Sequence, residues 1–90
     1  MASICKHVNY TGQVQGVGFR YTAQALARGY AVAGHVRNLP DGSVELVAEG
    51  APDQVAAFLA AVAERMAGYI THAAVRDETP QGVHGFHIRR

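Results

Sequence analysis

The organisation of this chain is decided by a seven-residue segment between a strand pattern and a helix pattern, Val14-Gln15-Gly16-Val17-Gly18-Phe19-Arg20. Before it, apolar residues fall mainly on even positions from Ile4 to Val14, and polar residues fall on odd positions from His7 to Gln13. This period of two is typical of a half-buried strand. After it, apolar residues recur at helical spacing from Tyr21 to Tyr30. The segment is therefore predicted to be a loop that leads from a strand into a helix.

The rest of the chain alternates strand and helix patterns in the same way. The predicted elements are, in order, the helix that starts near Tyr21, a strand over residues 31–38, a hairpin turn at Pro40-Asp41-Gly42, a strand from Val44, a helix opening at Gly50-Ala51-Pro52-Asp53, and strands over residues 70–79 and 85–89. Proline early in the second helix and an acid in its first turn are typical of a helix N-terminus. The apolar stripe of this helix is formed by Val55, Phe58, Leu59, Val62 and Met66.

This order is β-α-β-β-α-β with a short extra strand at the C-terminus. The two β-α-β halves indicate a ferredoxin-like α/β sandwich, an α+β fold with two helices on one face of a mainly antiparallel sheet. In such a fold the first two strands run parallel, because the first helix crosses over between them, and their C-terminal ends lie at the same edge. The loop from Gly16 to Arg20 and the residue Asn38 are therefore predicted to be neighbours.

Length and composition indicate one folded domain over residues 1–90. Hydrophobic residues make up 49% of the chain and charged residues 17%, which excludes a disordered tail. The net charge is only +1 and the charged residues are scattered along the chain, so neither nucleic acid nor a membrane is an expected partner. A small ligand is expected instead. Cys5 is the single cysteine, and no stretch resembles a signal peptide or a membrane span. We expect a cytoplasmic protein.

The loop has the composition of an anion site. Gly16 and Gly18 allow backbone N–H groups to converge, the following helix N-terminus adds partial positive charge, and Arg20 adds donors that match phosphate oxygens. The spacing is not the dinucleotide-binding fingerprint, whose third glycine position is Tyr21 here, and no P-loop Gly-Lys-Ser/Thr follows. A Gly-x-Gly loop taken alone is more often a tight turn beside a solvated arginine, so the residues by themselves leave that alternative open.

Three segments taken together resemble the acylphosphatase family. They are Val14-Gln15-Gly16-Val17-Gly18-Phe19-Arg20, Gly34-His35-Val36-Arg37-Asn38 and Asp41-Gly42-Ser43-Val44-Glu45. The segment Gly85-Phe86-His87-Ile88 is similar to the family's C-terminal pattern, so the likeness runs through nearly the whole chain in order. The length of the chain is also that of the family's free-standing enzymes.

The resemblance implies a hydrolase that splits the carboxyl-phosphate anhydride of an acyl phosphate into a carboxylate and inorganic phosphate. Arg20 matches the family's phosphate-binding arginine, and Asn38 matches the asparagine that orients the attacking water. The backbone amides that assist the arginine would be those of Gln15, Gly16, Val17, Gly18 and Phe19. The family's reaction uses no metal, no other cofactor and no phosphoenzyme. The expected partners are a small acyl phosphate and, as competing anions, inorganic phosphate or sulfate, and the expected state is a monomer.

The other reactive side chains are predicted to lie outside this chemistry. Cys5 is at the far end of the first strand from the loop, and no serine stands in a nucleophile motif. His84 and His87 are expected on the surface, since no further ligand completes a metal site. His35 either adds pH dependence or is a packed or solvent-facing strand residue, and we favour the second. Arg37 is expected to point away from Asn38 and to be solvated.

Two alternatives to an acylphosphatase enzyme belong to the same fold. A ferredoxin-like sandwich also serves as a non-catalytic phosphate- or RNA-binding module, although an RNA binder would show aromatics on the central strands and a more basic surface. Acylphosphatase-like domains also handle carbamoyl phosphate as parts of larger proteins. Turnover of an acyl phosphate distinguishes an enzyme from a binding module.

Overall fold

A computed structural model describes residues 2–90 of the chain. Within them the elements follow the predicted order: β1 (Ile4–Gly12), α1 (Phe19–Ala27), β2 (Val32–Asn38), β3 (Val44–Gly50), α2 (Pro52–Arg65), β4 (Ile70–Glu78) and β5 (Phe86–Arg89). The strands form a sheet in the order β4-β1-β3-β2-β5. All neighbouring strands are antiparallel except β2 and β5, which are parallel. The predicted ferredoxin-like sandwich with an extra C-terminal strand is confirmed.

The core lies between the sheet and the two helices, which pack on the same face of it. Val8 of β1 and Leu46 of β3 point into this core and are fully buried. Phe58 of α2 is also fully buried, and its ring centroid lies 6.0 Å from that of Tyr30 and 5.3 Å from that of Phe86. Burying a side chain of this size stabilises the fold by about 1.5–3 kcal/mol. The contact also attaches β5, at the edge of the sheet, to α2.

Helix α1 begins at Phe19, before the predicted start near Tyr21, and ends at Ala27. The earlier start follows from Gly18, which caps the helix in a left-handed conformation and accepts the N–H of Thr22 at 2.9 Å. Tyr30, which the periodicity placed on the helix stripe, lies in the turn that follows. Neither helix in residues 2–90 is long and apolar enough to cross a lipid bilayer.

The face of the sheet opposite the helices is crossed by the β4–β5 connection, residues 79–85. Because β4 and β5 are opposite edges of the sheet, this connection passes over the strands between them. Glu49 of β3 accepts the backbone N–H groups of Gln81 and Gly82 at 2.6 and 2.7 Å. These charge-assisted bonds offset the cost of burying the carboxylate, which is only 7% exposed.

Candidate active site

The loop between β1 and α1 is held by buried side chains at both ends. Val14 is fully buried, and Phe19 packs against Tyr10 of β1 with ring centroids 5.0 Å apart. Between these anchors, Gly16 and Gly18 have φ angles of 78° and 77°. Residues with a Cβ reach this left-handed region only at a cost of roughly 1–2 kcal/mol. The glycines thus let an exposed backbone turn sharply between two fixed points.

The backbone N–H groups of this loop are available to a ligand. Within residues 2–90, the N–H groups of residues 15–18 donate to no backbone carbonyl and to no side chain. Gly18 caps α1 without a side-chain acceptor, so the first N–H groups of the helix have no capping partner either. Amide donors and the positive end of a helix dipole both favour a bound anion.

Arg20 adds a full positive charge in the first turn of α1. Its side chain is half-buried, and among residues 2–90 it forms no hydrogen bond or ion pair. Three other cations, Lys6, Arg37 and Arg76, each pair with a carboxylate. The guanidinium next to the loop amides therefore keeps its planar set of donors for an oxyanion.

The C-terminal end of β2 lies against this loop. Asn38 is the half-buried last residue of β2 and pairs with Val44 across the ladder. The side chain of Gln15 reaches the turn that follows Asn38, where its Nε2 donates to the carbonyl oxygens of Leu39 and Ser43 at 2.8 and 2.9 Å. The first residue of the loop is thus hydrogen-bonded to both ends of the turn beside Asn38.

The turn over residues 39–43 is fixed by contacts between Asp41 and Ser43. Ser43 donates its hydroxyl and its backbone N–H to the same Asp41 Oδ1, at 2.6 and 2.9 Å. These two hydrogen bonds, of which the one from the hydroxyl has the larger effect, hold the pKa of Asp41 below its usual value. From β1, Asn9 Nδ2 donates to Ser43 Oγ at 3.1 Å. The β2–β3 turn is therefore an ordered support for Asn38.

On the helix-free face, Glu45 gathers two imidazoles and a guanidinium. Its carboxylate oxygens lie 3.0 Å from His7 Nε2, 3.1 Å from His35 Nε2 and 2.8 Å from Arg37 Nε. Burial acts to raise the pKa of Glu45, but these hydrogen bonds outweigh it and lower the pKa to about 2. Arg37 lies on the helix-free face, as predicted, and its side chain is 43% exposed, but it has an ion-pair partner because the strand register sets Glu45 directly opposite it. His35 is a half-buried strand residue in the same network.

The remaining reactive side chains lie away from the loop. Cys5 is buried, and this burial, followed by the nearby Glu49 and Glu78 carboxylates, raises the pKa of its thiol. His87 Nε2 lies 2.9 Å from the carbonyl oxygen of His84. Within residues 2–90, no three His, Cys, Asp or Glu side chains come together as a set that could hold a metal ion. An open groove of about 420 Å³ beside these histidines is lined by none of the candidate site residues.

The sequence predicted a role for Gln15 through its backbone amide and missed the contacts of its side chain. Those contacts are made to main-chain carbonyls 24 and 28 positions away, which leave no mark on the sequence. The hydrogen bonds between Asp41 and Ser43 could have been anticipated from the sequence, because an aspartate two positions before a serine is typical of a turn stabilised by its side chains.

The chain is similar to known acylphosphatases along nearly its whole length. The family model described as Acylphosphatase matches residues 6–88. The acylphosphatase of Trichormus variabilis is 46% identical over 85 residues, which are 93% of this chain and 84% of that protein. The acylphosphatase of Thermococcus kodakarensis is 42% identical over 89 residues, 98% of each chain.

The likeness extends to three dimensions. The crystal structure of acylphosphatase from Bacillus subtilis matches with a TM-score of 0.87 and 33% identity, and the match covers 97% of this chain and 99% of that one. The resemblance found in the sequence is confirmed by the family model, the relatives and this structure. The chain is an acylphosphatase enzyme and belongs to the acylphosphatase family.

Proposed function

We propose that residues 1–90 form one acylphosphatase domain that hydrolyses acyl phosphates by direct attack of water on phosphorus, without a metal ion. The observation that carries this proposal is the meeting of two elements at one edge of the sheet. One element offers the loop amides and Arg20, and the other ends in Asn38. The Gln15 side chain joins them through the carbonyl of Leu39.

Substrate binding is assigned to the loop. The phosphoryl group of an acyl phosphate carries negative charge on its free oxygens. The N–H groups of Gln15, Gly16, Val17, Gly18 and Phe19 would donate to these oxygens, and the guanidinium of Arg20 would add two parallel charge-assisted bonds. Because the amides are held in place before substrate arrives, no reorganisation is needed when charge shifts in the transition state.

The attacking water is assigned to Asn38. Its amide oxygen accepts a hydrogen bond from the water and leaves an oxygen lone pair directed at phosphorus. The new O–P bond forms as the bond from phosphorus to the acyl oxygen breaks, and the carboxylate leaves with that electron pair. A neutral amide is not a base at physiological pH, so the proton of the water passes to a phosphate oxygen of the substrate.

The chemistry suits this division of roles. Phosphoryl transfer has a loose transition state that needs positioning and charge stabilisation more than covalent help. A carboxylate is already a good leaving group, so no general acid is required at the acyl oxygen. Arg20 and the amide dipoles supply the positive charge that a metal ion provides in other phosphoryl-transfer sites.

The site also fits a defined set of partners. Inorganic phosphate and sulfate present the same tetrahedral oxygens as the substrate and would compete for the loop. A cytoplasmic location agrees with a single reduced, buried cysteine. No second chain is needed to complete this site, because the elements that carry Arg20, Asn38 and the amides all come from one chain. A monomer is therefore the expected active form.

The test is hydrolysis of benzoyl phosphate by the purified chain in water labelled with a heavy oxygen isotope and with excess EDTA. Direct attack on phosphorus predicts chelator-resistant turnover, heavy oxygen in the phosphate rather than in benzoate, and no acid-stable phosphorylated protein in quenched samples. Label in benzoate would assign the attack to the carbonyl carbon instead. Carbamoyl phosphate, assayed in parallel, separates a general acylphosphatase from a domain devoted to that substrate.

A further inference from the structure

The side chain of Gln15 links the two halves of the proposed site. We infer that Gln15 is a positioning residue, which holds Asn38 at a fixed distance from the phosphate loop through the β2–β3 turn. This inference rests on the proposed function and adds a side-chain role to a residue that otherwise enters only through its backbone N–H. The contacts that carry it are the bonds from Gln15 Nε2 to Leu39 O, at 2.8 Å, and to Ser43 O, at 2.9 Å.

The geometry uses the whole donor capacity of the Gln15 amide. A primary amide nitrogen has two hydrogens, and here each has its own carbonyl acceptor. The same two carbonyls close the turn itself, since Ser43 O accepts the N–H of Leu39 at 2.9 Å and Leu39 O accepts the N–H of Gly42 at 3.1 Å. Gln15 is therefore bonded to the closing contacts of the turn rather than to a free peripheral group.

No other hydrogen bond within residues 2–90 connects the segment 15–20 with the segment 38–43. The sheet does not connect them directly either, because β1 and β2 are not neighbours and each pairs with β3. Along the chain, the two segments are separated by the length of α1 and β2. Among the described residues, Gln15 thus makes the hydrogen bonds that join the segment proposed to hold the phosphate to the segment that carries Asn38.

This arrangement predicts a particular split in the kinetics. Phosphate binding depends on the loop amides and Arg20, which a change in the Gln15 side chain leaves in place. Attack depends on Asn38, whose distance from the phosphate would change. A misplacement of about 1 Å between reacting groups can cost roughly 10²-fold in rate. Loss of the Gln15 bonds should therefore lower kcat and leave the inhibition constant of inorganic phosphate nearly unchanged.

The experiment is a double-mutant cycle with Gln15→Met and Asn38→Ala. Methionine has a similar length and volume but no amide donors, so it removes the two bonds and keeps the backbone N–H. In the wild-type background we expect kcat to fall by about 10- to 100-fold, with phosphate inhibition changed by less than about threefold. In the Asn38→Ala background we expect Gln15→Met to cause almost no further fall. An equal fall in both backgrounds would show that Gln15 does not act through Asn38 and would overturn the inference.

A second variant keeps the test independent of folding. Gln15→Glu places an acceptor against the two carbonyl oxygens, and the introduced carboxyl regains one donor only when it is protonated. Its kcat relative to wild type should rise as the pH falls towards the ordinary glutamate pKa of about 4.3, whereas the Gln15→Met ratio should stay flat. Identical pH profiles for the two variants would contradict a role through these hydrogen bonds.

The matched control is Asn9→Ala, which removes the bond to Ser43 Oγ from β1 and leaves the loop untouched. It should lower the melting temperature, and it should lower kcat much less than Gln15→Met does. A loss of kcat equal to that of Gln15→Met would mean that any loosening of the turn has the same effect, and the specific link would be rejected. Failure of the proposed function gives a different result, namely a wild-type chain without turnover or an Asn38→Ala variant with full kcat.

Discussion

Arg37 and Glu45 are cross-strand partners on β2 and β3, and Arg37 Nε donates to Glu45 Oε1 at 2.8 Å. Arg37 directly precedes Asn38, yet this ion pair holds its guanidinium on the helix-free face of the sheet. Arg20 and Arg37 are therefore not equivalent, because among residues 2–90 Arg37 pairs with a carboxylate and Arg20 does not.

Replacing Arg20 by alanine should abolish most of the activity. The substrate phosphoryl group would lose a charge-assisted pair of bonds, and kcat/KM should fall by about 10²–10³-fold, with weaker inhibition by inorganic phosphate. Steady-state kinetics with benzoyl phosphate measure both effects. Arg37→Ala is the matched control, since it removes an equal charge close to Asn38. Equal losses in the two variants would indicate a general field effect rather than direct binding by Arg20.

Asn38→Ala should separate binding from turnover. The amide proposed to orient the water is lost, while the loop amides and Arg20 are unchanged, so kcat should fall by roughly 10²-fold and phosphate inhibition should stay near the wild-type value. The comparison of kcat with the phosphate inhibition constant tests this expectation. A variant that turns over at the wild-type rate would remove Asn38 from the mechanism.

Cys5→Ala should leave kcat unchanged. Cys5 is buried near the start of β1, and its raised thiol pKa keeps it protonated at physiological pH. A thiol reagent should modify the folded protein only as fast as the structure opens, and the unfolded protein at once. The variant should cost about 1 kcal/mol of stability through the lost packing. A large fall in kcat would point to a covalent role that the direct-attack mechanism excludes.

The sequence predicted the elements whose pattern is local. The alternation of apolar and polar residues predicted β1, and the glycine-rich segment before Arg20 predicted the loop between β1 and α1. The hairpin turn was visible at Pro40-Asp41-Gly42, where Gly42 has a φ of 93°. The fold class followed from the order of these elements. The start of α1 was misplaced because helical periodicity reports the buried stripe and not the first turn, which Gly18 sets through its own conformation.

Contacts between distant strands were beyond the sequence. The Glu45 network depends on strand register, which places Glu45 opposite Arg37 on one side and Asn9 on the other. The Gln15 contacts depend on main-chain carbonyls, which every residue carries. The family resemblance supplied Arg20 and Asn38 as candidate site residues, but it did not indicate how the loop and the end of β2 are connected. In the structure, the Gln15 side chain connects them through the carbonyl oxygens of Leu39 and Ser43.

Gly18→Ala should destabilise the chain and weaken phosphate binding. The φ of 77° at Gly18 costs an alanine roughly 1–2 kcal/mol, and relief of this strain would turn the loop amides away from the anion. Gly68→Ala is a close control, because an added Cβ meets nothing within 4 Å at either position, while Gly68 lies outside the left-handed region. Denaturant unfolding should show a lower free energy of unfolding for Gly18→Ala and little change for Gly68→Ala. Equal losses would remove backbone strain as the cause.

Glu45→Gln should make the chain less stable in a pH-dependent way. The pKa of Glu45 is about 2 in the folded chain against an ordinary value of 4.5, so the ionised group stabilises the fold fully above about pH 4.5. This contribution is lost as the pH falls from 4.5 towards 2. At neutral pH the wild type should exceed the variant in unfolding free energy by on the order of 2 kcal/mol. This difference should disappear between pH 4.5 and pH 2. The control is Glu78→Gln, which breaks an exposed pair with Arg76 and should cost at most about 0.5 kcal/mol. A gap for Glu45→Gln that stays constant down to pH 2 would show that the carboxylate contributes through shape and not through its charge.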